Sequence, residues 1–139
     1  MINRRLGYII RDQDPLLMHG NETVQAASKA MRERHMGSVL VIDDHKHLLG
    51  IFTGRDAVKI LAKGQDGNIA LVQAMTPNPV TISPDHKAID ALRAMSDGGF
   101  RHIPVVERGQ VWGIVSRADF KGAEIDRLDE EEALAERIR

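Results

Sequence analysis

The sequence contains no cysteine, and this absence excludes several kinds of site at once. Without thiols the chain forms no disulfides, carries no thiolate nucleophile and offers no cysteine-ligated zinc or iron–sulfur centre. Aromatic residues are also scarce, with one Trp, one Tyr and three Phe among 139 residues. A surface that stacks bases or sugars needs several aromatic side chains, so no such platform is expected.

The chain also lacks an excess of one charge and any long apolar run. Lys and Arg number 19 and Asp and Glu number 20, for a net charge of −1. Nucleic acid is therefore not expected as the main partner, because phosphate neutralisation requires a cationic surface. The apolar stretch 6–10 ends at Arg11 and Asp12, too short for a secretory segment or for the ~20 residues that span a bilayer. We expect a soluble, cytoplasmic protein without a membrane partner.

Signatures of catalysis and of metal binding are weak. The sequence contains no GxSxG, no P-loop GK[ST] and no HExxH. Residues 43–47 resemble a metal cluster, but Lys46 stands in the middle, and a solvated turn is the simpler interpretation. Residues 66–68 lack the downstream Glu of a calcium loop and also predict a turn. We expect no catalytic residue, no metal and no enzymatic activity.

The chain contains an internal repeat, which we call copy one and copy two. A shift of 64 residues places Pro15 over Pro79 and Met31 over Met95. It also places residues 39–43 over 103–107, each a run of four apolar residues followed by an acid. A shift of 63 then aligns residues 50–56 with 113–119, each reading Gly, two apolar residues, Thr or Ser, two variable residues and Asp. Two such strings in matching places indicate a duplication.

The residue pattern of each copy predicts a short strand, a helix, a hairpin and a second helix. In copy two the strand is 80–82, and the helix begins with Ser83 as N-cap and Pro84 at its first position. Gly98 and Gly99 end this helix. Its apolar stripe is formed by four residues at helical spacing: Ala88, Ala91, Leu92 and Met95. The hairpin strands are 102–106 and 111–115, and Ser116 starts the next helix.

Copy one follows the same order, and a helical tail follows copy two. The copy-one helices are expected near 23–34 and 53–63, and the strands near 38–42 and 48–52, with Gly64 after the second helix. The strands are almost wholly apolar, which indicates sheets covered on both faces. In the acidic tail 123–139, Ile125 and Leu128 lie on one side and Leu134 and Ile138 nearly opposite. We expect a neighbouring subunit or partner to contact this tail; a solvated helix is the alternative.

The two repeated strings permit two interpretations. In the first they are capping boxes, in which Thr53 or Ser116 caps a helix and Asp56 or Asp119 reaches back to it. In the second, a phosphate sits at the helix N-terminus beside Thr53 or Ser116. The Asp would then accept both hydroxyls of a ribose, as the acid of dinucleotide folds does.

The ordered motifs resemble a tandem pair of cystathionine-β-synthase (CBS) domains, a Bateman module. The resemblance rests on residues 75–82, 100–106 and 113–119 with their copy-one counterparts, and it covers about residues 10–125. It implies an α/β (α+β) fold of two pseudo-symmetric repeats, each a small three-stranded sheet packed with two helices, plus a C-terminal helix. The implied domains are repeat 1 at 10–64, a linker at 65–78, repeat 2 at 79–125 and an acidic helix at 126–139.

The resemblance also implies a function. Modules of this kind regulate other proteins by binding AMP, ADP, ATP, S-adenosylmethionine or sometimes NAD in clefts between their repeats. They form flat two-fold homodimers, and two-fold dimers are the commonest oligomers. We therefore expect an adenosyl nucleotide as ligand, a homodimer, and an effector protein that the sequence does not identify. A structural or interaction dimer without ligand is the alternative.

Family context suggests a role for each candidate residue. Arg101 and His102 would approach the phosphates, since a guanidinium and an imidazole donate well to phosphate. Arg55 and Arg117 are weaker phosphate candidates. The adenine slot would be apolar and would offer backbone donors and acceptors. Its candidate residues are Thr81, Ile82, Ile103 and Pro104 in copy two, and Leu17, Met18, Val39 and Leu40 in copy one. Taken singly, each of them is expected to be a buried core residue rather than a ligand contact.

Copy one departs from the family pattern at two positions. Leu40 stands where proline is usual, and Gly37 and Ser38 stand where copy two has Arg101 and His102. An anion at copy one must then rely more on helix-terminus N–H groups, unless Arg101 or Arg55 reaches across the cleft. The sequence accordingly ranks the copy-two site above the copy-one site.

Overall fold

The computed structural model describes residues 3–137 of the chain and divides into two compact units. The first-copy unit comprises Asp14–Val80 and the hairpin residues Arg108–Val111. The second-copy unit comprises the described residues up to Gln13, Thr81–Glu107, and the chain from Trp112 onward. Each copy is thus completed by the segment that precedes the other copy.

The first-copy unit is built on a four-stranded sheet in the order β1-β2-β3-β4. β1 runs parallel to β2, and the other neighbours are antiparallel. Every residue of β2 is buried, as an unbroken apolar run predicts for a strand covered on both faces. The strand bounds are β1 Leu17–His19, β2 Ser38–Ile42, β3 Leu48–Thr53 and β4 Thr76–Pro77.

Three helices complete this unit: α2 (Val24–Glu33), α3 (Gly54–Ala62) and α4 (Leu71–Ala74). The hydroxyl of Thr23 accepts a hydrogen bond from the N–H of Ala26 at 3.0 Å and so caps α2. The buried face of α2 packs into a core with strand and α4 residues; its members include Val24, Ala27, Met31, Val39, Val41, Phe52 and Leu71. Gly64 follows α3 at a φ of +70°, where the sequence places the end of that helix.

The second-copy unit contains β5 (His102–Glu107) and, from Trp112 onward, β6 (Gln110–Ser116), and these two strands form a two-stranded sheet. Its helices are α1 (Leu6–Ile9), α5 (Ala88–Gly98) and α6 (Gly122–Arg137), with a 3₁₀ turn at Arg117–Asp119. The apolar stripe of α5 is buried as predicted, and Gly99 ends the helix at a φ of +69°. The core joins α5 to the sheet, α1 and α6, through Leu6, Ile10, Leu92, Met95, Ile103, Val105 and Leu128 among others.

The predicted strand 80–82 is reduced to a single parallel bridge between Ile82 and Val105. In copy one, the N–H of Leu40 donates to the carbonyl of Leu16 at 2.9 Å and extends β1. The matching bond in copy two would run from Pro104 to Val80, and proline has no N–H to donate. The one-residue departure between the copies therefore accounts for a strand in one and a bridge in the other.

The predicted start of α5 at Ser83 is wrong, because the helix begins at Ala88. The N–H of His86 donates to the carbonyl of Ser83 at 3.2 Å, so Pro84 lies inside a turn. The N-terminal segment holds this turn apart from the helix: Gly7 donates to the Pro84 carbonyl at 2.9 Å.

The helix predicted from Ser116 is also shorter than expected. It ends after one 3₁₀ turn, since Phe120 is extended and buries its ring in the core. α6 starts afresh, with the carboxylate of Glu124 accepting from the N–H of Lys121 at 2.8 Å.

The acidic tail is helical and packs on its own unit. Leu128 is buried and Ile125 half-buried in the second-copy core, whereas Leu134 is exposed. The predicted position of Ile138 lies outside the described residues. Two polar contacts link α6 to α5, from Arg93 to Glu131 and from Ser96 to Glu132. The described helices include none that is both long and apolar enough to cross a membrane.

Candidate functional site

In the repeated motif of copy two, the side chain of Asp119 points back to the start of the 3₁₀ turn. Oδ2 of Asp119 accepts from the backbone N–H of Ser116 at 2.7 Å and from its hydroxyl at 3.3 Å. Within residues 3–137 no group donates to the other oxygen, Oδ1, and the side chain is exposed. One carboxylate oxygen therefore caps the turn, and the second is open to a ligand hydroxyl.

Arg101 and His102 lie beside this turn. The N–H of Arg117 donates to the carbonyl of Arg101 at 3.1 Å, which joins the start of β5 to the end of β6. Burial lowers the pKa of His102; the nearby Asp119 carboxylate opposes this shift and the Arg101 guanidinium adds to it. An imidazole, a guanidinium and a carboxylate thus share one edge of the second-copy unit, with Arg101 exposed.

The four copy-two candidates for the adenine slot differ in how far their side chains are buried. The side chains of Ile103 and Pro104 are buried, with Ile103 in the core. Thr81 is exposed and Ile82 half-buried. Both line an open depression of about 660 Å³ beside α5, which Arg101, His102, Ser116 and Asp119 do not line.

In copy one both carboxylate oxygens of the corresponding residue, Asp56, accept hydrogen bonds. Oδ2 of Asp56 accepts from the N–H of Thr53 at 2.9 Å and from its hydroxyl at 3.3 Å. Oδ1 accepts from the hydroxyl of Thr76 at 3.4 Å, and only 6% of the residue is exposed. Both oxygens thus have partners, and the capping interpretation describes Asp56 better than Asp119.

The other copy-one candidates offer little polar chemistry. Arg55 is exposed on the first turn of α3, and Leu17 is half-buried. Met18, Val39 and Leu40 are core residues, and Ser38, at the place of His102, is 7% exposed. Among the candidate residues, the exposed charged ones therefore lie mainly in copy two, and the ranking of the two half-sites stays a prediction.

The segments weighed as metal sites are turns. Oδ1 of Asp43 accepts from the N–H groups of His45 at 2.8 Å and His47 at 2.9 Å. These backbone bonds, led by that from His47, lower the pKa of Asp43. Oδ1 of Asp66 accepts from the N–H of Asn68 at 2.9 Å in the second turn.

Two further residues, Arg4 and Gln13, contact the copy-two motif, and the sequence pattern does not indicate either contact. The guanidinium of Arg4 donates to the backbone carbonyl of Asp119 at 2.9 Å. The carboxamide of Gln13 bridges Ile114, donating to its carbonyl and accepting from its N–H, both at 2.7 Å. Their distance along the chain hides both contacts, and no local pattern signals them.

The family of the chain follows from two matches in tandem. The CBS domain model matches residues 9–63 and 69–126, one match for each copy. These ranges cover most of the chain, and the chain belongs to the CBS domain family, as a tandem pair of CBS repeats.

Curated relatives match the chain over part of their own length. The chain is 37% identical over 107 residues to an uncharacterized 17.7 kDa protein in the bps2 3′ region of Acidianus ambivalens, covering 76% of this chain and 65% of that one. It is 38% identical over 104 residues to the CBS domain-containing protein CBSCBSPB2 of Arabidopsis thaliana, covering 73% of this chain and 19% of that one. The chain thus spans less than two thirds of either relative.

Solved structures share the fold. The CBS domain protein PAE2072 of Pyrobaculum aerophilum, complexed with AMP, superposes with a TM-score of 0.83 at 18% identity and covers 91% of this chain and 98% of its own. The CBS domain pair of protein MJ0100, in complex with 5′-methylthioadenosine and S-adenosyl-L-methionine, gives a TM-score of 0.73 at 28% identity, covering 85% and 93%.

Proposed function

We propose that the chain is a regulatory module that binds an adenosine-containing ligand and signals its presence to a partner protein. AMP, ADP and ATP are the first candidates, and S-adenosylmethionine and NAD share the same adenosine group. The related CBS pair of MJ0100 holds two adenosine-containing ligands, which supports this ligand class. The proposal assigns the module no catalytic role.

The open carboxylate oxygen of Asp119 carries the proposal. A ribose presents two adjacent hydroxyls, and a carboxylate accepts both through charge-assisted hydrogen bonds. At Asp119, an exposed residue, the cap uses Oδ2 alone, and no group of residues 3–137 donates to Oδ1. Arg101 and His102 on the same edge supply the donors that a phosphate requires. Ser116 and Arg117 extend this set, while Thr81, Ile82, Ile103 and Pro104 are proposed to contact the base.

Calorimetry with AMP, ATP and S-adenosylmethionine tests the proposal. We expect at least one of the three to bind and to raise the melting temperature. Mass spectrometry of small molecules released by denaturing the purified protein would identify a retained ligand. No heat and no thermal shift with any of the three would refute the proposal, and turnover of the ligand would contradict the non-catalytic role.

The half-buried His102 makes binding of a phosphate pH-dependent. Burial holds its pKa below the ordinary 6.5 in the free protein, and a neighbouring phosphate would raise it. The imidazole then binds more protons in the complex than in the free protein, so its contribution to AMP affinity should increase as pH falls through the raised pKa of the complex. Calorimetry in buffers of different ionisation enthalpy measures this uptake, and His102→Asn should abolish the part that comes from the imidazole. Equal proton uptake by wild type and variant would place the phosphate away from His102.

The lowered pKa of His102 also determines whether folding stability rises or falls with pH. The folded pKa of His102 lies below the unfolded one, so the unfolded chain binds more protons. His102 therefore stabilises the fold above about pH 6.5, and this contribution is lost as pH falls below that value.

An apolar face on α3 supports the proposed homodimer. Val58 and Leu61, three residues apart on one side of the helix, are 64% and 76% exposed. Side chains of this kind are covered when a second copy packs against them. The same face serves the alternative function, a dimeric interaction module without ligand.

Leu61→Glu should therefore convert the dimer into a monomer of 15.4 kDa. A carboxylate at the centre of an apolar contact loses its hydration without gaining a partner. Light scattering at tens of micromolar measures the change, and Leu134→Glu on the exposed side of α6 is the matched control. A dimer that persists in Leu61→Glu but dissociates in Leu134→Glu would move the interface to the tail.

A further inference from the structure

The second-copy unit contains a buried carboxylate that the proposed binding site does not use. Glu124 in the first turn of α6 is 1% exposed. Its Oε1 accepts from Nη2 of Arg4 at 2.9 Å and from the N–H of Lys121 at 2.8 Å. Its Oε2 accepts from the backbone N–H of Arg4 at 3.1 Å and from Nε at 3.3 Å. Burial alone would raise the pKa of Glu124, but these bonds outweigh it and lower the pKa.

Arg4 is held in place from its other side. Its carbonyl accepts from the N–H of Ala88 at 2.7 Å, and the side chain of Asn3 accepts from the N–H of Ile89 at 3.0 Å. The N–H of Leu6 donates to the carbonyl of His86 at 2.8 Å. The N-terminal segment is thereby fixed along the start of α5, and the guanidinium of Arg4 has little freedom to move.

The same guanidinium contacts the residue proposed to bind ribose. Nη2 of Arg4 bonds to Glu124 and also donates to the backbone carbonyl of Asp119 at 2.9 Å. The carboxylate of Asp119 accepts from the N–H of Ser116 instead. Arg4 thus contacts both the backbone of Asp119 and the first turn of α6, and its Nη2 is shared between the two.

We propose that Arg4 is a positioning residue that aligns Asp119 for the ligand and couples occupancy of that site to the first turn of α6. This inference rests on the proposed function and adds to it the route by which the ligand is sensed. Because coupling between two sites is reciprocal, a ligand that fixes Asp119 also stabilises the docked start of α6. The acidic helix is then the element that reports the ligand to a partner.

The test must separate positioning from stability, because removing Arg4 alone leaves Glu124 buried and unpaired. The double variant Arg4→Met with Glu124→Gln avoids this charge: Met replaces the length of Arg, and Gln keeps an oxygen for the N–H of Lys121. The matched control is Glu124→Gln alone, which retains the bond from Arg4 to Asp119. The two variants differ only at Arg4.

We expect the double variant to bind AMP about five- to tenfold more weakly than Glu124→Gln, at similar melting temperatures. Arg4→Lys with Glu124→Gln should recover part of the affinity, because an ammonium can still donate to the Asp119 carbonyl. Hydrogen exchange gives the second readout. AMP should slow exchange of the Glu124 and Ile125 amides, which donate to the carbonyl of Lys121, in the control but not in the double variant.

Equal AMP affinity and equal protection in the double variant and the control would overturn the inference and leave the proposed function intact. A wild-type protein that binds none of AMP, ATP and S-adenosylmethionine would overturn both. The wild-type titration therefore distinguishes the two failures.

Discussion

Asp119→Asn is expected to weaken AMP binding about ten- to a hundredfold, which corresponds to about 1.5–3 kcal/mol of lost charge-assisted hydrogen bonds. The asparagine oxygen can still accept from the N–H of Ser116, so the cap of the 3₁₀ turn survives. What disappears is the negative charge, together with an acceptor for the second ribose hydroxyl. Calorimetry of wild type and variant measures the difference.

Asp56→Asn is the internal control, because Asp56 occupies the same place in copy one. Both of its oxygens already accept hydrogen bonds, from Thr53 and Thr76, and the residue is buried. We expect a smaller loss of AMP affinity and a loss of stability of about 1 kcal/mol, because one of the two accepting oxygens becomes an amide nitrogen. Unchanged affinity in both variants would reduce the repeated motif to a helix cap. A greater loss at Asp56 would reverse the ranking of the two half-sites.

Gly50→Ala is expected to lower the free energy of unfolding by about 1–3 kcal/mol, because an added methyl group has no room. A Cβ at this position would lie 2.5 Å from Sδ of Met75 and 2.7 Å from the carbonyl oxygen of Thr76. Gly50 is the first residue of the repeated motif, and β4 pairs directly against it. The close approach of the two backbones is the reason for glycine here. Thermal and urea unfolding measure the loss.

Gly54→Ala is the matched control four residues further along. A Cβ there meets nothing within 4 Å, and the residue is helical, so alanine should be neutral or stabilise by up to about 1 kcal/mol. Combining Gly50→Ala with Met75→Ala separates the two clashes. Full recovery would assign the whole effect to the flexible Met75 side chain, whereas we expect only partial recovery because the Thr76 oxygen belongs to the backbone.

The copy-two site illustrates how far local patterns reach. Two aligned strings ending in Asp56 and Asp119 reveal the duplication, and each Asp caps its own turn three residues back. The two copies also differ in chemistry, since Arg101 and His102 have no counterpart in copy one, and the ranking of the two sites that rests on this difference stays a prediction. It does not reveal that Thr76 occupies Oδ1 of Asp56, because that contact crosses 20 residues.

The sequence by itself determined the features that depend on neighbours along the chain. The buried stripe of α5, the fully buried β2 and the glycine ends of α3 and α5 follow from periodicity and turn chemistry within a few residues. Two tandem copies of such elements were enough to identify the CBS pair, and the family match agrees with them.

Only the tertiary structure decided the features that depend on hydrogen bonds between distant residues. The N-terminal segment moves the start of α5 from Ser83 to Ala88, and Pro104 withholds the donor that would extend a strand at Val80. The bond between Arg4 and Glu124 joins residues 120 positions apart. A local propensity of a few tenths of a kcal/mol per residue yields to such contacts, because a buried donor, acceptor or charge without a partner costs more than the preference it overrides.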